Sequence, residues 1–223
     1  MKRIKLRDRL LPDYTTGEEI MNMVTHIVGG ALGIVVLVLC VIRAVLSGSL
    51  LSIVGCSIYG ASIVTLYTIS SVYHGLRPEM AKKVLQVLDH CTIYFLIAGT
   101  YTPILLTAFV PAYPVIGWGL LAVEWILAAL AATLTAIDLK KYTVFSMICY
   151  IGMGWGIIFF IPQTIELLTT PGFAWLLFGG IAYTVGAIFY GIGSKKHWLH
   201  SVFHIFVVIG SLLQFLAIYL YVI

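Results

Sequence analysis

The segment LHSVFHIFVVIGSLLQFLAIYLYV, residues 199–222, decides the fold class, because it contains no Lys, Arg, Asp or Glu along its whole length. About 20 consecutive apolar residues are enough for an α-helix to cross the hydrocarbon core of a bilayer. A strand of a membrane barrel would instead alternate polar and apolar side chains, and this segment does not alternate. It therefore predicts a transmembrane helix.

Six more apolar runs of similar length precede this segment, and short stretches that are polar or rich in Gly and Pro separate them. Only helices and closed barrels satisfy their backbone hydrogen bonds in lipid. We therefore predict an all-α integral membrane protein in which residues 1–223 form a single domain of seven transmembrane helices. The predicted spans are about 22–43, 50–73, 86–109, 114–136, 142–162, 172–193 and 199–222.

The composition excludes several other classes of protein. Of the 223 residues, 61% are hydrophobic and only 10% are charged, whereas soluble domains carry about 25% charged residues. A disordered chain and an ordinary soluble enzyme are therefore excluded. The four cysteines show no CxxC spacing, which argues against a disulfide framework or a cysteine–zinc site.

The Lys and Arg residues predict the orientation. With seven spans, all but one of the 13 lie on the same side, before the first span or after the second, fourth or sixth, and Arg43 is the exception. Cytoplasmic loops carry an excess of these residues, so we predict a cytoplasmic N-terminus and an external C-terminus in the cell (plasma) membrane. The net charge of +4 then reflects topology and not a nucleic-acid partner.

Glycines predict where helices approach closely, since small residues allow backbones to pack in lipid. Gly29 and Gly33 form a GxxxG pattern on the first span, and Gly152, Gly154 and Gly156 lie on the fifth.

Ionisable side chains inside membrane helices cost about 2.5–3.5 kcal/mol on insertion scales, so their positions are informative. In the predicted topology, the starts of the first, third and seventh spans and the end of the second share the cytoplasmic side. His26, His74, Asp89, His200 and His204 all lie in that layer. Because the histidines did not enter the charge count, their convergence is a separate indication of a shared site.

The histidine spacing is typical of a metal site. His200 and His204 are four residues apart, so one helix face presents both imidazoles, as in HExxH zinc sites. His74 from another helix would complete three nitrogen ligands, and three protein ligands plus water are typical of catalytic zinc. We predict that His74, His200 and His204 bind Zn²⁺.

Asp89 and Ser70 are the predicted catalytic residues. Asp89 lies at the depth of the histidines, and it either acts as a general base on the zinc-bound water or hydrogen-bonds a ligand histidine. Ser70 precedes His74 by one helical turn. Its hydroxyl either orients Asp89, the water or a substrate carbonyl, or it hydrogen-bonds back to its own helix or across to a neighbouring helix.

Three polar residues of the first span, Glu19, Asn22 and His26, share one helix face. One interpretation is that they brace the zinc ligands by hydrogen bonds without binding the metal. The alternative is that Glu19 and Asn22 only cap the helix end, with Thr15 or Thr16 upstream.

These residues fall in five ordered motifs that together resemble the hemolysin III family, the short bacterial branch of the progestin and adipoQ receptor (PAQR) superfamily. The resemblance covers the whole chain. The motifs are Glu19-x-x-Asn22-x-x-Thr25-His26, Ser70-x-x-x-His74, Leu88-Asp89-His90, Gly99-Thr100-Tyr101-Thr102-Pro103 and His200-x-x-x-His204.

The resemblance implies a seven-helix fold with a cytoplasmic N-terminus and a zinc ion bound by His74, His200 and His204. It also implies that Asp89 lies near the zinc-bound water, with Ser70 close by. Receptor and alkaline ceramidase relatives imply hydrolysis of a lipid amide or ester, and the bacterial branch is associated with membrane-lipid homeostasis. The hemolysin label comes from haemolytic activity ascribed to some members.

Three functions compete at this point. The first is a zinc hydrolase, ceramidase-like, whose membrane lipid substrate enters between helices. The second is a sensor or receptor in which zinc is structural and fixes the packing of the second, third and seventh spans. The third is a pore or transporter, which needs a polar track across the bilayer. Residues 212–223 offer only Gln214 and tyrosines for such a track, which leaves Glu124 as the residue that supports a proton pathway.

Overall fold

Helices form the membrane-embedded part of the chain. The computed structural model describes residues 4–193 and 196–223, and over these residues it contains no β-strand, which confirms the predicted all-α class. The main helices are α1 (Thr16–Leu46), α2 (Leu50–Gly75), α3 (Glu79–Ile104), α4 (Pro114–Ile137), α5 (Thr143–Gly154), α6 (Ile161–Gly193) and α7 (Leu199–Tyr221). A π-helical stretch, Leu105–Phe109, and one turn, Val110–Ala112, extend α3, and a 3₁₀ stretch, Gly156–Phe160, joins α5 to α6.

Within the described residues, six helices are long and apolar enough to cross a membrane. Four of the predicted spans, those that begin at 50, 114, 142 and 199, start within one residue of a helix start. Two helices, α1 and α3, begin earlier than predicted, at Thr16 and Glu79. The spans predicted at 142–162 and 172–193 fall within one continuous candidate, Thr143–Gly193. The helix bounds therefore do not confirm the predicted count of seven.

The long segment Thr143–Gly193 departs from helical geometry inside the predicted linker. It has 51 residues, and as one straight helix it would measure about 75 Å, against a hydrocarbon core of about 30 Å. At Thr169 the backbone adopts φ 65° and ψ 166°, which is not helical, and Pro171 follows. The helix is thus interrupted at the position where two spans were predicted to separate.

Close packing holds α1 against α2 and α6 against α7, and α1 also contacts α7. At Gly29, a Cβ would lie 2.5 Å from the ring of Tyr67, and at Gly33 it would lie 2.6 Å from Ile63. A Cβ at either position would force these side chains to shift, so the predicted close approach at the GxxxG pattern is confirmed.

The same prediction is wrong for Gly152 and Gly154. A Cβ at either position would point into open space, with no atom of a neighbouring described helix within 4 Å. Gly156 does face inward, since its Cβ would lie 3.2 Å from the carboxylate of Glu124.

The stretch before α1, residues 4–14, is attached to the end of α4. The backbone N–H of Ile4 donates to the Asp138 carboxylate at 3.1 Å. The guanidinium of Arg9 is buried and donates to the backbone carbonyl of Ile137 at 3.2 Å. These contacts hold the stretch against the end of α4. From there it leads to the start of α1, where the candidate site lies.

Candidate metal centre

Three histidine side chains meet at one end of the helix bundle. One ring nitrogen from each of His74, His200 and His204 lies within 4.8 Å of the other two, and the Nε2 atoms of His200 and His204 are 3.1 Å apart. All three side chains are buried. The structure therefore brings together the histidines that the sequence grouped, in an arrangement that could hold one metal ion.

Hydrogen bonds at Nδ1 set the ring orientations of two of these histidines. His74 Nδ1 lies 2.6 Å from the carboxylate of Glu19. His204 Nδ1 lies 3.3 Å from the backbone carbonyl of Asn22, which can only accept, so this nitrogen carries the proton. Each ring then directs an Nε2 lone pair into the cluster. Among the described residues, His74 Nε2 has no hydrogen-bond partner, as expected of an atom that binds a cation.

Glu19 connects three helices through its two carboxylate oxygens. One oxygen contacts His74 on α2, and the other lies 2.7 Å from the Lys82 ammonium on α3. The capping box at the start of α1 consists of Thr15, which the capping alternative named, and Glu18 rather than Glu19. The two contacts of the Glu19 carboxylate are those expected of a residue that braces His74.

Asn22 and His26 also contact the first turns of α7. The Oδ1 atom of Asn22 accepts a hydrogen bond from the Ser201 hydroxyl at 2.7 Å. The ring of His26 stacks on that of His204, with centroids 3.7 Å apart and planes 15° from parallel. Both ring nitrogens of His26 are buried and have no hydrogen-bond partner in the described part of the chain.

Asp89 and Ser70 line one cavity together with His204. The Ser70 hydroxyl is buried without a hydrogen-bond partner among the residues described. By contrast, Ser57 and Ser62 on the same helix donate to backbone carbonyls of the preceding turn. The alternative in which Ser70 donates back to its own helix is therefore wrong.

Sequence reasoning missed Tyr14, which lies against two of the histidines. Its ring stacks on His200 with centroids 5.0 Å apart and is 5.9 Å from His74. Burial raises the pKa of the Tyr14 hydroxyl above its ordinary value, so the side chain stays neutral beside the cluster. No spacing rule indicates this contact, because it depends on where residues 4–14 attach.

Glu18 was also missed, although the Thr15-x-x-Glu18 pattern carries the signature of a capping box. Besides capping α1, its carboxylate accepts hydrogen bonds from the Trp198 backbone N–H at 2.6 Å and from His197 Nδ1 at 3.0 Å. Glu18 thus ties the start of α1 to the start of α7, which carries two of the three cluster histidines.

A cavity of about 370 Å³ opens from the centre into the bundle. Most of its wall is apolar side chains of α3, α5, α6 and α7, and the wall reaches Gln214 at the other end. His204 and Gln214 both line it and are ten residues apart on α7, which corresponds to about 15 Å along the helix axis. The cavity is therefore long, and its wall is mostly apolar.

Comparison with known proteins gives the family. Residues 14–215 match the model of the family described as haemolysin-III related. The chain belongs to this family. Hemolysin-3 of Bacillus cereus is 40% identical over 205 residues, or 92% of each chain. The Hemolysin-3 homolog of Bacillus subtilis is 38% identical over 208 residues, or 93% of this chain and 96% of that protein.

A more distant relative is the human monocyte to macrophage differentiation factor, which is 28% identical over 174 residues, or 74% of this chain and 68% of that protein. No solved structure matches the chain.

In this haemolysin-III-related protein, all five sequence motifs contribute to the centre or to its cavity. Glu19 contacts a histidine of the cluster, and Ser70, Asp89, Thr100 and His204 line the cavity. A cation held by three imidazoles would lie at the end of an apolar cavity whose wall also carries a carboxylate and an unpaired hydroxyl. That arrangement has the parts needed to attack a carbonyl group carried by an apolar molecule.

Proposed function

We propose that this protein is a zinc-dependent hydrolase that cleaves an amide or ester bond of a membrane lipid and contributes to membrane-lipid homeostasis. The observation that carries the proposal is the meeting of His74, His200 and His204 at the end of a long apolar cavity that Asp89 and Ser70 also line. A site for a water-soluble substrate would not need such a cavity.

The donor set fits zinc. Neutral imidazole is a common zinc ligand, and three protein ligands leave one position open, as in catalytic sites. Histidine ligands of zinc are usually held at their other nitrogen by a carboxylate or a carbonyl, which matches Glu19 on His74 and the Asn22 carbonyl on His204. Zinc bound there would lower the pKa of a coordinated water to about 7 and polarise a carbonyl.

Asp89 and Ser70 would then act on the reacting atoms. The Asp89 carboxylate takes a proton from the attacking water as its oxygen bonds to the carbonyl carbon. The Ser70 hydroxyl donates a hydrogen bond to the carbonyl oxygen as negative charge develops there. When the C–N or C–O bond breaks, Asp89 returns the proton to the leaving nitrogen or oxygen, giving a fatty acid and an amine or alcohol.

The cavity would hold the acyl chain of the lipid. Its apolar wall would pack against the acyl chain. The chain would then position the carbonyl at the histidine end. The closed packing of α1 on α2 and of α6 on α7 supports entry from the membrane between other helices.

The proposed topology has seven passes in the cell membrane, a cytoplasmic N-terminus, an external C-terminus and one domain of residues 1–223. The break at Thr169 supports two passes within Thr143–Gly193. An odd number of passes then keeps all but one of the 13 Lys and Arg residues on one side, with the zinc site near the cytoplasmic face.

The test is lipid hydrolysis by the purified protein in nanodiscs that contain defined ceramides, glycerolipids and phospholipids, followed by mass spectrometry. We expect zinc-dependent release of a fatty acid by the wild type. His200→Ala should lose both zinc and turnover, whereas Asp89→Asn should keep zinc and lose turnover. His197→Ala is the matched control, because this histidine is exposed and outside the cluster.

A zinc-binding protein that hydrolyses none of these lipids would contradict the proposal. It would favour the second candidate, a membrane sensor with structural zinc. One observation supports that candidate: the cluster joins α2 to α7, and Glu19 of α1 braces it. A bound ion would therefore cross-link the helices even without catalysis.

A further inference from the structure

Polar side chains are unevenly distributed along the cavity. Those in its middle already have hydrogen-bond partners inside the protein. The hydroxyls of Thr100, Tyr101 and Thr184 donate to backbone carbonyls at 2.8, 3.1 and 2.8 Å. The unpaired groups lie at the two ends: Ser70 and His26 beside the histidine cluster, and Gln214 at the far end.

Gln214 lines the cavity, and one of its amide atoms is an acceptor without a partner among the described residues. The side chain is 8% exposed, and its amide nitrogen donates to the backbone carbonyl of Leu176 at 3.1 Å. Because that carbonyl can only accept, the orientation of the amide is set. The other amide atom, Oε1, is buried and has no hydrogen-bond partner in the described residues.

Gly179 makes room for this arrangement. A Cβ at position 179 would lie 2.7 Å from the amide nitrogen of Gln214, so a larger residue there would displace the amide. The amide therefore sits in a place shaped to receive it, on the wall of an otherwise apolar region. A buried carbonyl without a partner is destabilising, which calls for a donor from elsewhere.

Water is a poor candidate for that donor. A buried water usually makes about three hydrogen bonds, and Leu176, Leu177 and Phe173 surround this end of the cavity with apolar side chains. A charged donor would be buried without a counter-charge. An alkyl hydroxyl needs a single acceptor, and its carbon chain suits the apolar wall.

We propose that the cavity selects a lipid whose acyl chain carries a hydroxyl group, and that this hydroxyl donates a hydrogen bond to Gln214 Oε1. The inference rests on the proposed function, because it assumes that an acyl chain enters the cavity with its carbonyl at the histidines. Since Gln214 and His204 are ten residues apart on α7, the hydroxyl lies about 15 Å from the carbonyl end.

The test is equilibrium binding to the zinc-loaded protein in nanodiscs. Saturated fatty acids of one length, unsubstituted or with one hydroxyl at successive positions, displace a radiolabelled unsubstituted fatty acid. We expect the wild type to bind one position roughly 3- to 10-fold more tightly than the unsubstituted chain. The preferred position should place the hydroxyl about 15 Å from the carboxyl.

Gln214→Leu should remove this preference and keep the binding of the unsubstituted chain, which also reports that the variant is folded. Gln163→Leu is the matched control. Gln163 Oε1 is likewise buried without a hydrogen-bond partner among the described residues, but Gln163 is not part of the cavity wall. The preference should survive in this variant.

Two results would overturn the inference while leaving the proposed function intact. One is equal binding of all the fatty acids by the wild type, and the other is a hydroxyl preference that persists in Gln214→Leu. Failure of every fatty acid to bind would overturn the lipid part of the proposed function as well.

Discussion

At the scale of single residues, Glu19 offers the sharpest test of how the histidines are held. Its carboxylate contacts His74 Nδ1 at 2.6 Å and the Lys82 ammonium at 2.7 Å. Glu19→Gln keeps the shape of the side chain and removes its charge. Loss of such a partner typically lowers metal affinity 10- to 100-fold, so we expect a fall of about that size, measured by competition with a zinc chelator.

The matched control for Glu19→Gln is Glu79→Gln. Glu79 also forms an ion pair with a lysine, Lys83, but it lies on the exposed surface and away from the cluster. Its substitution should leave zinc affinity unchanged. Equal affinities in all three proteins would show that Glu19 does not support His74.

The sequence predicted the histidine cluster because its members obey local rules: helical spacing brings His200 beside His204, and the predicted topology brings His74 to their depth. It did not predict Tyr14 or the cavity acceptor Gln214. Their roles depend on which helices pack together, and neither residue type is unusual in its place. The polarity of Glu19 and Asn22 raised two interpretations, and the sequence alone did not show that Glu18 completes the capping box with Thr15.

At the scale of elements, the attachment of residues 4–14 depends on one carboxylate. Burial alone would raise the pKa of Asp138, but N–H donors of Lys141 and Ile4 and the charge of Arg9 hold it below its ordinary value. A lowered pKa means that the attachment is strongest above the ordinary Asp value near 3.9 and is lost as the pH falls through the folded-state value.

We therefore expect residues 4–14 to become susceptible to proteolysis and hydrogen exchange as the pH drops below about 4. Asp138→Asn should cause the same exposure at neutral pH. Asp13→Asn, at an exposed position of the stretch itself, should leave the protection unchanged. Protection that does not vary with pH in the wild type would mean that Asp138 does not anchor the stretch.

The break in Thr143–Gly193 has an energetic consequence of its own. Thr169 adopts φ 65° and ψ 166°, a region essentially reserved for glycine that costs other residues of order 1–3 kcal/mol. Thr169→Gly should relieve this strain and raise the free energy of unfolding by about 1 kcal/mol, measured by thermal unfolding in detergent. Thr170→Gly, within the helix, should bring no gain. A loss of stability in Thr169→Gly would argue that the break is not strained.

Apolar runs predicted the helices of this chain better than they predicted the helix ends. They underestimated α1 and α3, whose first turns contain polar residues outside the apolar runs. Thr15 caps α1 with Glu18, and Glu79 and Lys83 form an ion pair one turn apart in α3. Such turns are stabilised by capping and side-chain pairs, which a measure of hydrophobicity does not register.

At the scale of the whole molecule, a metal bound by the cluster would stabilise the bundle, because His74 lies on α2 and the other two histidines on α7. A ligand at 100 times its dissociation constant contributes about 2.7 kcal/mol. Removal of zinc with a chelator should therefore lower the Tm of the wild type by about 5 °C or more. The Tm of His204→Ala should not respond, and an unresponsive wild type would exclude a structural contribution.

The number of passes determines on which sides of the membrane the chain ends lie. If Thr143–Gly193 crossed once, six passes would put both ends on one side; a turn at Thr169 gives seven passes and opposite sides. We expect seven, because a 51-residue helix is more than twice as long as the hydrocarbon core requires.

Reporter fusions that are active only in the cytoplasm should work at the N-terminus and fail at the C-terminus. A variant without the four native cysteines would carry one new cysteine at Thr170. This cysteine should react with an impermeant thiol reagent added outside the cell and not with reagent added to the cytoplasmic side. Activity of both fusions would contradict the seven-pass topology, and the zinc site would then need a new assignment of side.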